Sequence, residues 1–222
     1  DIDIEDFLYR ILEDEKIYRT NRRSERLRKK AKFNNSVSLD EFEATVERGI
    51  NKMMLKKLRS LDFLEKNENL IFTGGTGTGK SYLAQSVGQL CCLYGYETLF
   101  LPVNRMFKEI QAAEASGEYI KYINRLSRAK VLIFDDFGLR NYTHTEATIL
   151  YDICEQKYQK STIVITSQVK PQGWKSLFED DVVAEAILDR LESCAHHINL
   201  KGPSYRKKHE PKKDIGKQEK LL

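Results

Sequence analysis

Leu70-Ile71-Phe72-Thr73-Gly74-Gly75-Thr76-Gly77-Thr78-Gly79-Lys80-Ser81 decides the fold. A short apolar run enters a glycine-rich turn, and the turn enters residues 81–94, which carry helical spacing. Gly74-x-x-x-x-Gly79-Lys80-Ser81 in that strand-to-helix setting is a phosphate-binding loop. Its glycines let the backbone curl until several N–H groups converge on phosphate oxygens, and the helix N-terminus adds partial positive charge. In such loops the lysine, here Lys80, bridges the β- and γ-phosphates and the hydroxyl, here Ser81, ligates Mg²⁺. Gly74, Gly75, Thr76, Gly77, Thr78, Gly79, Lys80, Ser81 and Tyr82 are the candidate nucleotide contacts, with ATP and Mg²⁺ as the expected cofactors.

A loop of this kind needs a second half, a buried strand ending in an acid. Val131-Leu132-Ile133-Phe134-Asp135-Asp136 supplies it downstream. Asp135 is the candidate metal ligand, directly or through water, and Asp136 is placed to orient and polarise an attacking water. Two aspartates at a strand end also serve as a turn or a helix cap, so the assignment rests on the pairing with the loop.

Outward from these motifs, residues 70–73, 98–101, 131–134 and 162–166 are short, nearly continuous apolar runs, as strands buried on both faces require, and a last apolar strand is expected at about 197–200. Helical stretches near 81–94, 104–114, 118–128, 145–159 and 181–194 alternate with them. The expected class is α/β, a parallel five-stranded sheet between helices. Upstream, Ile4, Phe7, Leu8, Ile11, Leu12 and Tyr18 recur at helical spacing, and the helix runs on into basic residues. Ser38-Leu39-Asp40-Glu41 has the form of a capping box opening another helix. The expected organisation is a small basic helical module over 1–60, a nucleotide-binding domain over 61–206 and a basic, flexible tail over 207–222.

Of 222 residues, 37 are Lys or Arg and 33 Asp or Glu, a net charge of only +4. Distribution matters more than the total. Acids dominate residues 1–15, whereas residues 16–32 hold nine basic residues against Glu25 alone. Such a segment suits a polyanion, or else is a solvated helix face. Cys91, Cys92, Cys154 and Cys194 show no zinc spacing and suit buried reduced thiols. No apolar run approaches the roughly 18 residues of a membrane span, so the expectation is a cytoplasmic protein without membrane attachment.

With these motifs placed, the chain resembles the AAA+ ATPases, and within them the IstB transposition helper proteins of insertion sequences, with DnaC-type helicase loaders as near cousins. The resemblance rests on the basic-turning helix from Phe7 to Lys32, on Leu64 to Leu70 before the loop, and on Asp135-Asp136-Phe137-Gly138-Leu139. Later stretches add to it: Tyr158 to Ser167, Ile187-Leu188-Asp189-Arg190-Leu191, and Gly202-Pro203-Ser204-Tyr205-Arg206.

That resemblance implies further roles. A polar sensor after the fourth strand falls at Gln168, where the family usually has Asn, with Ser167 as the alternative. Arg190 matches an arginine finger that reaches the γ-phosphate bound by a neighbouring subunit, or is a surface ion pair. Arg206 matches the second sensor, acting on its own subunit's phosphates. Asp136 is one methylene shorter than the family's usual Glu. Residues 103–130 correspond to an extra element lining a DNA-gripping ring or spiral, with Arg105, Lys108, Lys121 and Arg125 available for phosphates. Arg22, Arg23, Arg26, Lys29 and Lys30 of the first helix are the other DNA candidates.

The implied function is an ATP-hydrolysing regulator of DNA transposition that assembles as a homo-oligomer on double-stranded DNA and works with a transposase. A helicase loader and a nucleotide-gated DNA clamp with little hydrolysis are the rivals; a small-molecule kinase fits less well.

Overall fold

The structure is a computed structural model that describes residues 3–205. Its centre is a five-stranded parallel sheet of β1 (Asn69–Gly74), β2 (Thr98–Pro102), β3 (Val131–Phe137), β4 (Thr162–Ser167) and β5 (Ala195–Leu200), in the order β2-β3-β4-β1-β5. The strands β1 to β4 are apolar on both sides because both sides are covered, whereas β5, expected to be another such strand, lies at the sheet edge and alternates, burying Ile198 and Leu200 and exposing His197 and Asn199. Ile71, Leu132, Phe134, Ile163 and Ile165 face one cluster of buried side chains, and Leu70, Phe72, Val131, Ile133 and Val164 face the other. This period-two sorting is the pleat itself, and it explains why the strands read as continuous rather than alternating runs.

The first cluster is closed by α5 (Val103–Ala115), α6 (Tyr119–Arg128), α7 (His144–Lys157) and α8 (Asp181–Glu192). Local chemistry sets the helix starts. Thr143 and Glu146 form a capping box at α7, and the Asp180 carboxylate accepts from the N–H groups of Val182 and Val183 at α8. The second cluster is closed by α4 (Lys80–Leu93), α2 (Lys52–Ser60) and the single turn α3 (Asp62–Glu65). Leu39, Phe42 and Ile50 share that cluster with Phe72 and Leu83, so the segment before β1 packs directly against the sheet layer.

Two expectations need correcting here. Ser38-x-x-Glu41 does not open a helix: Ser38 caps only a three-residue 3-10 turn, because the Glu41 carboxylate is taken by the Tyr82 hydroxyl at 2.9 Å. The helix that does form nearby is α2, capped by Asn51. The long α1 (Ile4–Ala31) is present, but it docks through Ser24, Leu27 and Ala31, while Ile4, Phe7, Leu8, Ile11, Leu12 and Tyr18 are exposed. Cys91, Cys92 and Cys154 are buried thiols as expected, whereas Cys194 is exposed.

Asn69 ties the layers together at the start of β1. Its amide nitrogen donates to the carbonyls of Arg190 and Leu191 at 3.2 and 3.1 Å, and its oxygen accepts from the Ile163 N–H at 2.8 Å. Asn69→Ala therefore strands three backbone groups, two buried and one partly buried. The expected loss is roughly 2–3 kcal/mol, read as a fall in Tm of about 4–12 °C by calorimetry; an unchanged Tm would show the clamp to be dispensable.

Candidate nucleotide site

The C-terminal ends of β3, β4 and β1 lie side by side, which is where open parallel sheets place their ligands. Between β1 and α4, residues 74–79 turn through three left-handed glycines, Gly74, Gly77 and Gly79. The turn leaves no room for a side chain: a Cβ on Gly74 would lie 2.2 Å from the Leu200 carbonyl oxygen, and one on Gly77 would lie 2.0 Å from Ser204 Oγ. Glycine is required both for φ and for space. Lys80 is buried, and its ammonium donates to the carbonyls of Gly74 and Gly75 at 2.8 Å each. Thr78 closes the turn by donating from Oγ1 to the Gly75 carbonyl at 2.9 Å.

Asp135 is buried at the end of β3, accepts from the Thr166 hydroxyl at 2.6 Å, and has the Ser81 hydroxyl beside it. Burial pushes its carboxyl above the usual carboxylate range; the two hydroxyls and Lys80 oppose this, and Asp136 reinforces it. A divalent cation on Ser81 and Asp135 would offset that burial of charge, so this donor pair fits the metal its sequence suggests. Asp136 is exposed and sits in the left-handed region at φ 57. It lines a cavity of about 350 Å³ together with Gly77, Lys80, Ser81, Tyr82 and Gln168. The Gln168 side-chain oxygen accepts from the Thr76 hydroxyl at 2.8 Å, which draws the end of β4 onto the loop.

The structure separates the two sensor alternatives. Ser167 is fully buried; its hydroxyl donates to the Phe137 carbonyl at 2.7 Å and accepts from the Val169 N–H and the Trp174 indole. It braces the strand ends from behind and does not face the cavity, whereas Gln168 does.

Arg190 lies elsewhere. Its carbonyl is held by Asn69, at the start of β1, while the phosphate loop follows the end of that strand, about 16 Å of extended chain away. The guanidinium pairs with Glu155, donates to the Ala186 carbonyl at 2.7 Å, and lies over the Tyr151 ring at 4.8 Å. Arg206 and the tail lie outside the described residues. The residue before it, Tyr205, donates its N–H to the Gly77 carbonyl at 2.9 Å, packs its ring under Arg48 at 3.4 Å, and lines the cavity.

Of the DNA candidates, Lys30 from α1 and Lys121 and Arg125 from α6 converge on one groove of about 680 Å³, with Arg128 beside them. Arg105 is paired with Glu109, Lys121 with Glu118 and Lys30 with Glu97. Arg23 donates to the Gly95 carbonyl at 2.9 Å and so helps dock α1. Lys108, Arg22, Arg26 and Lys29 are exposed outside that groove.

Residues 1–213 match the family model described as IstB-like ATP binding protein. The chain belongs to that family. Among its IstB-like relatives, a protein of insertion sequence IS21 from Pseudomonas aeruginosa, named for ATP binding, is 32% identical over 97% of this chain and 81% of its own length. A counterpart from insertion sequence IS5376 of Geobacillus stearothermophilus is 30% identical over 92% of this chain and 82% of its own. Among solved structures, the DnaC helicase loader superposes with a TM-score of 0.62 at 18% identity, over 74% of this chain and 97% of that one. AMPPCP-bound DnaA from Aquifex aeolicus gives 0.62 at 19% identity over 77% of this chain, which spans about half (51%) of DnaA. These likenesses establish the AAA+ P-loop fold. Among the described residues no helix is long and apolar enough to cross a membrane.

Sequence reading missed Thr166, whose hydroxyl joins both acids of β3. The available signal was the polar run Thr166-Ser167-Gln168 that follows Ile163-Val164-Ile165 at the end of β4.

Proposed function

We propose that this IstB-like protein hydrolyses ATP and acts as an ATP-dependent regulator of DNA transposition. The observation that carries the reading is the pair of acids on β3: Asp135 is buried against Ser81, while the next residue, Asp136, turns out into the cavity beside the phosphate loop. Bound Mg²⁺ would supply charge neutralisation for the phosphates. Ser81 and Asp135 are the residues to hold it, and Lys80 with the loop N–H groups holds the phosphate oxygens. Asp136 accepts a hydrogen bond from water and takes up its proton as that water attacks the γ-phosphorus, with ADP as the leaving group. Gln168, braced on Thr76, is the second polar group at that end of the site.

Three further roles belong to this proposal. The subunits assemble so that Arg190 of one completes the site of the next. Backbone phosphates of double-stranded DNA lie along the groove of Lys30, Lys121 and Arg125. Encoded within insertion sequences as its relatives' names indicate, the protein works with a transposase.

Phosphate release measured with and without duplex DNA tests the reaction. Asp136→Asn should leave nucleotide affinity intact and lower turnover by about a hundredfold, the lower range for loss of a general base. A wild-type rate equal to that of a Lys80→Ala control would instead favour a nucleotide-gated DNA clamp.

A further inference from the structure

In a regular strand, consecutive side chains point to opposite faces, so Asp135 and Asp136 cannot both serve one site. Yet Asp135 turns inward to Ser81 and Asp136 opens onto the loop cavity. The register of β3 on β4 shows how. Phe134 pairs with Ile165 and Phe137 with Ser167, so two residues of β3, Asp135 and Asp136, stand opposite one residue of β4, Thr166. This two-against-one count is a β-bulge, and bulges re-aim side chains. The extra residue is Asp136, held at φ 57, a conformation that a non-glycine residue keeps only when its surroundings impose it.

Ser167 holds the far side of the bulge through the Phe137 carbonyl, and one hydroxyl of β4 touches both residues of the bulge itself. Thr166 Oγ1 donates to Asp135 Oδ1 at 2.6 Å and accepts from the Asp136 N–H at 3.0 Å. The side chain is fully buried, and its β-branch restricts χ1, so the oxygen has little freedom to leave either partner. We propose that Thr166 is the positioning residue of this site, setting the metal-side carboxylate through its donated bond and the water-side carboxylate through its accepted one. A bulky apolar residue would fill the same space in the strand but satisfy neither partner, and a buried carboxylate and a partly buried N–H would each lose a bond. The inference rests on the assignment of Asp135 to Mg²⁺ and of Asp136 to water.

The test uses the full chain as wild type, Thr166→Val, Thr166→Ser and Thr166→Cys. Binding of a fluorescent ATP analogue is measured in EDTA and across a Mg²⁺ titration, and phosphate release is measured alongside. Trp174 is the one tryptophan of the chain, and its indole donates to Ser167 Oγ and the Val169 carbonyl, so its emission reports whether the end of β4 is intact in each variant. Thr166→Val should keep nucleotide affinity in EDTA, shift the Mg²⁺ midpoint upward by about tenfold or more, and lower kcat by a similar factor with little change in KM. Thr166→Ser, which keeps the hydroxyl, should restore both to near wild type.

A Val variant with the wild-type Mg²⁺ midpoint and kcat overturns the proposal, as does one whose nucleotide affinity falls equally in EDTA and in Mg²⁺. Where Val does not fold, Cys carries the test, since a thiol is a weak donor of similar size; a wild-type Mg²⁺ midpoint in Thr166→Cys is then the overturning result. A wild-type chain that binds Mg²⁺ and nucleotide without releasing phosphate would sink the proposed hydrolysis, and the Mg²⁺ midpoint would still decide the role of Thr166.

Discussion

Lys80→Ala is expected to weaken nucleotide binding by at least about a hundredfold, which corresponds to roughly 2.7 kcal/mol. Two losses combine. In the proposed site the ammonium is the cation brought to the β- and γ-phosphates, and charged hydrogen bonds of this kind are the strong ones. The same group also braces the loop, donating to the carbonyls of Gly74 and Gly75 at 2.8 Å each, so the variant loosens the turn whose N–H groups must converge. Lys80 is the first residue of α4 and is buried, so no flexible neighbour on the surface stands ready to replace it. Titration with a fluorescent ATP analogue measures the effect. Affinity within threefold of wild type would remove Lys80 from the site. Lys80→Arg is not a conservative control, because a planar fork does not fit where a compact ammonium is enclosed.

The features legible in the sequence were those fixed by neighbours along the chain. Continuous apolar runs announced strands covered on both faces, and the spacing of Gly74, Gly79, Lys80 and Ser81 announced the loop, since the bonds that close its turn, from Lys80 to Gly74 and Gly75 and from Thr78 to Gly75, are local. Features set by partners distant in sequence were not legible. The bulge that separates Asp135 from Asp136 depends on how β3 registers on β4, some thirty residues on. Whether Ser167 or Gln168 faces the cavity depends on the phase of β4 and on Trp174, which claims the serine hydroxyl. The Ser38 box and the Thr143 box have the same form, and only the second opens a helix. Tyr82 takes the glutamate of the first, while Arg140 grips that of the second without displacing it from the Thr143 N–H.

Arg190→Ala is expected to leave ATP binding unchanged and to lower phosphate release by about a thousandfold, the lower range for loss of an arginine finger. The placement of the residue supports action in trans. It stands by the beginning of β1, whereas the phosphate loop follows the end, so it cannot serve the nucleotide of its own chain without the fold opening. In the single chain its guanidinium rests on Glu155 and Tyr151, a partly exposed contact of the kind worth little net stability, so release toward a neighbour costs little. The removal of those contacts will lower Tm slightly, and a melting curve separates that effect from the loss of turnover. Mixing gives the sharper reading. Lys80→Ala subunits are expected to bind ATP at least about a hundredfold more weakly but still present Arg190, and Arg190→Ala subunits are expected to bind ATP but lack the proposed finger. An equimolar mixture forms interfaces in which an intact loop meets an intact arginine, so activity should return to a substantial fraction of wild type although each variant alone is inactive. Normal turnover by Arg190→Ala alone would dismiss the finger. No recovery on mixing, with assembly of the mixed subunits shown by light scattering, would place the action of Arg190 within its own chain.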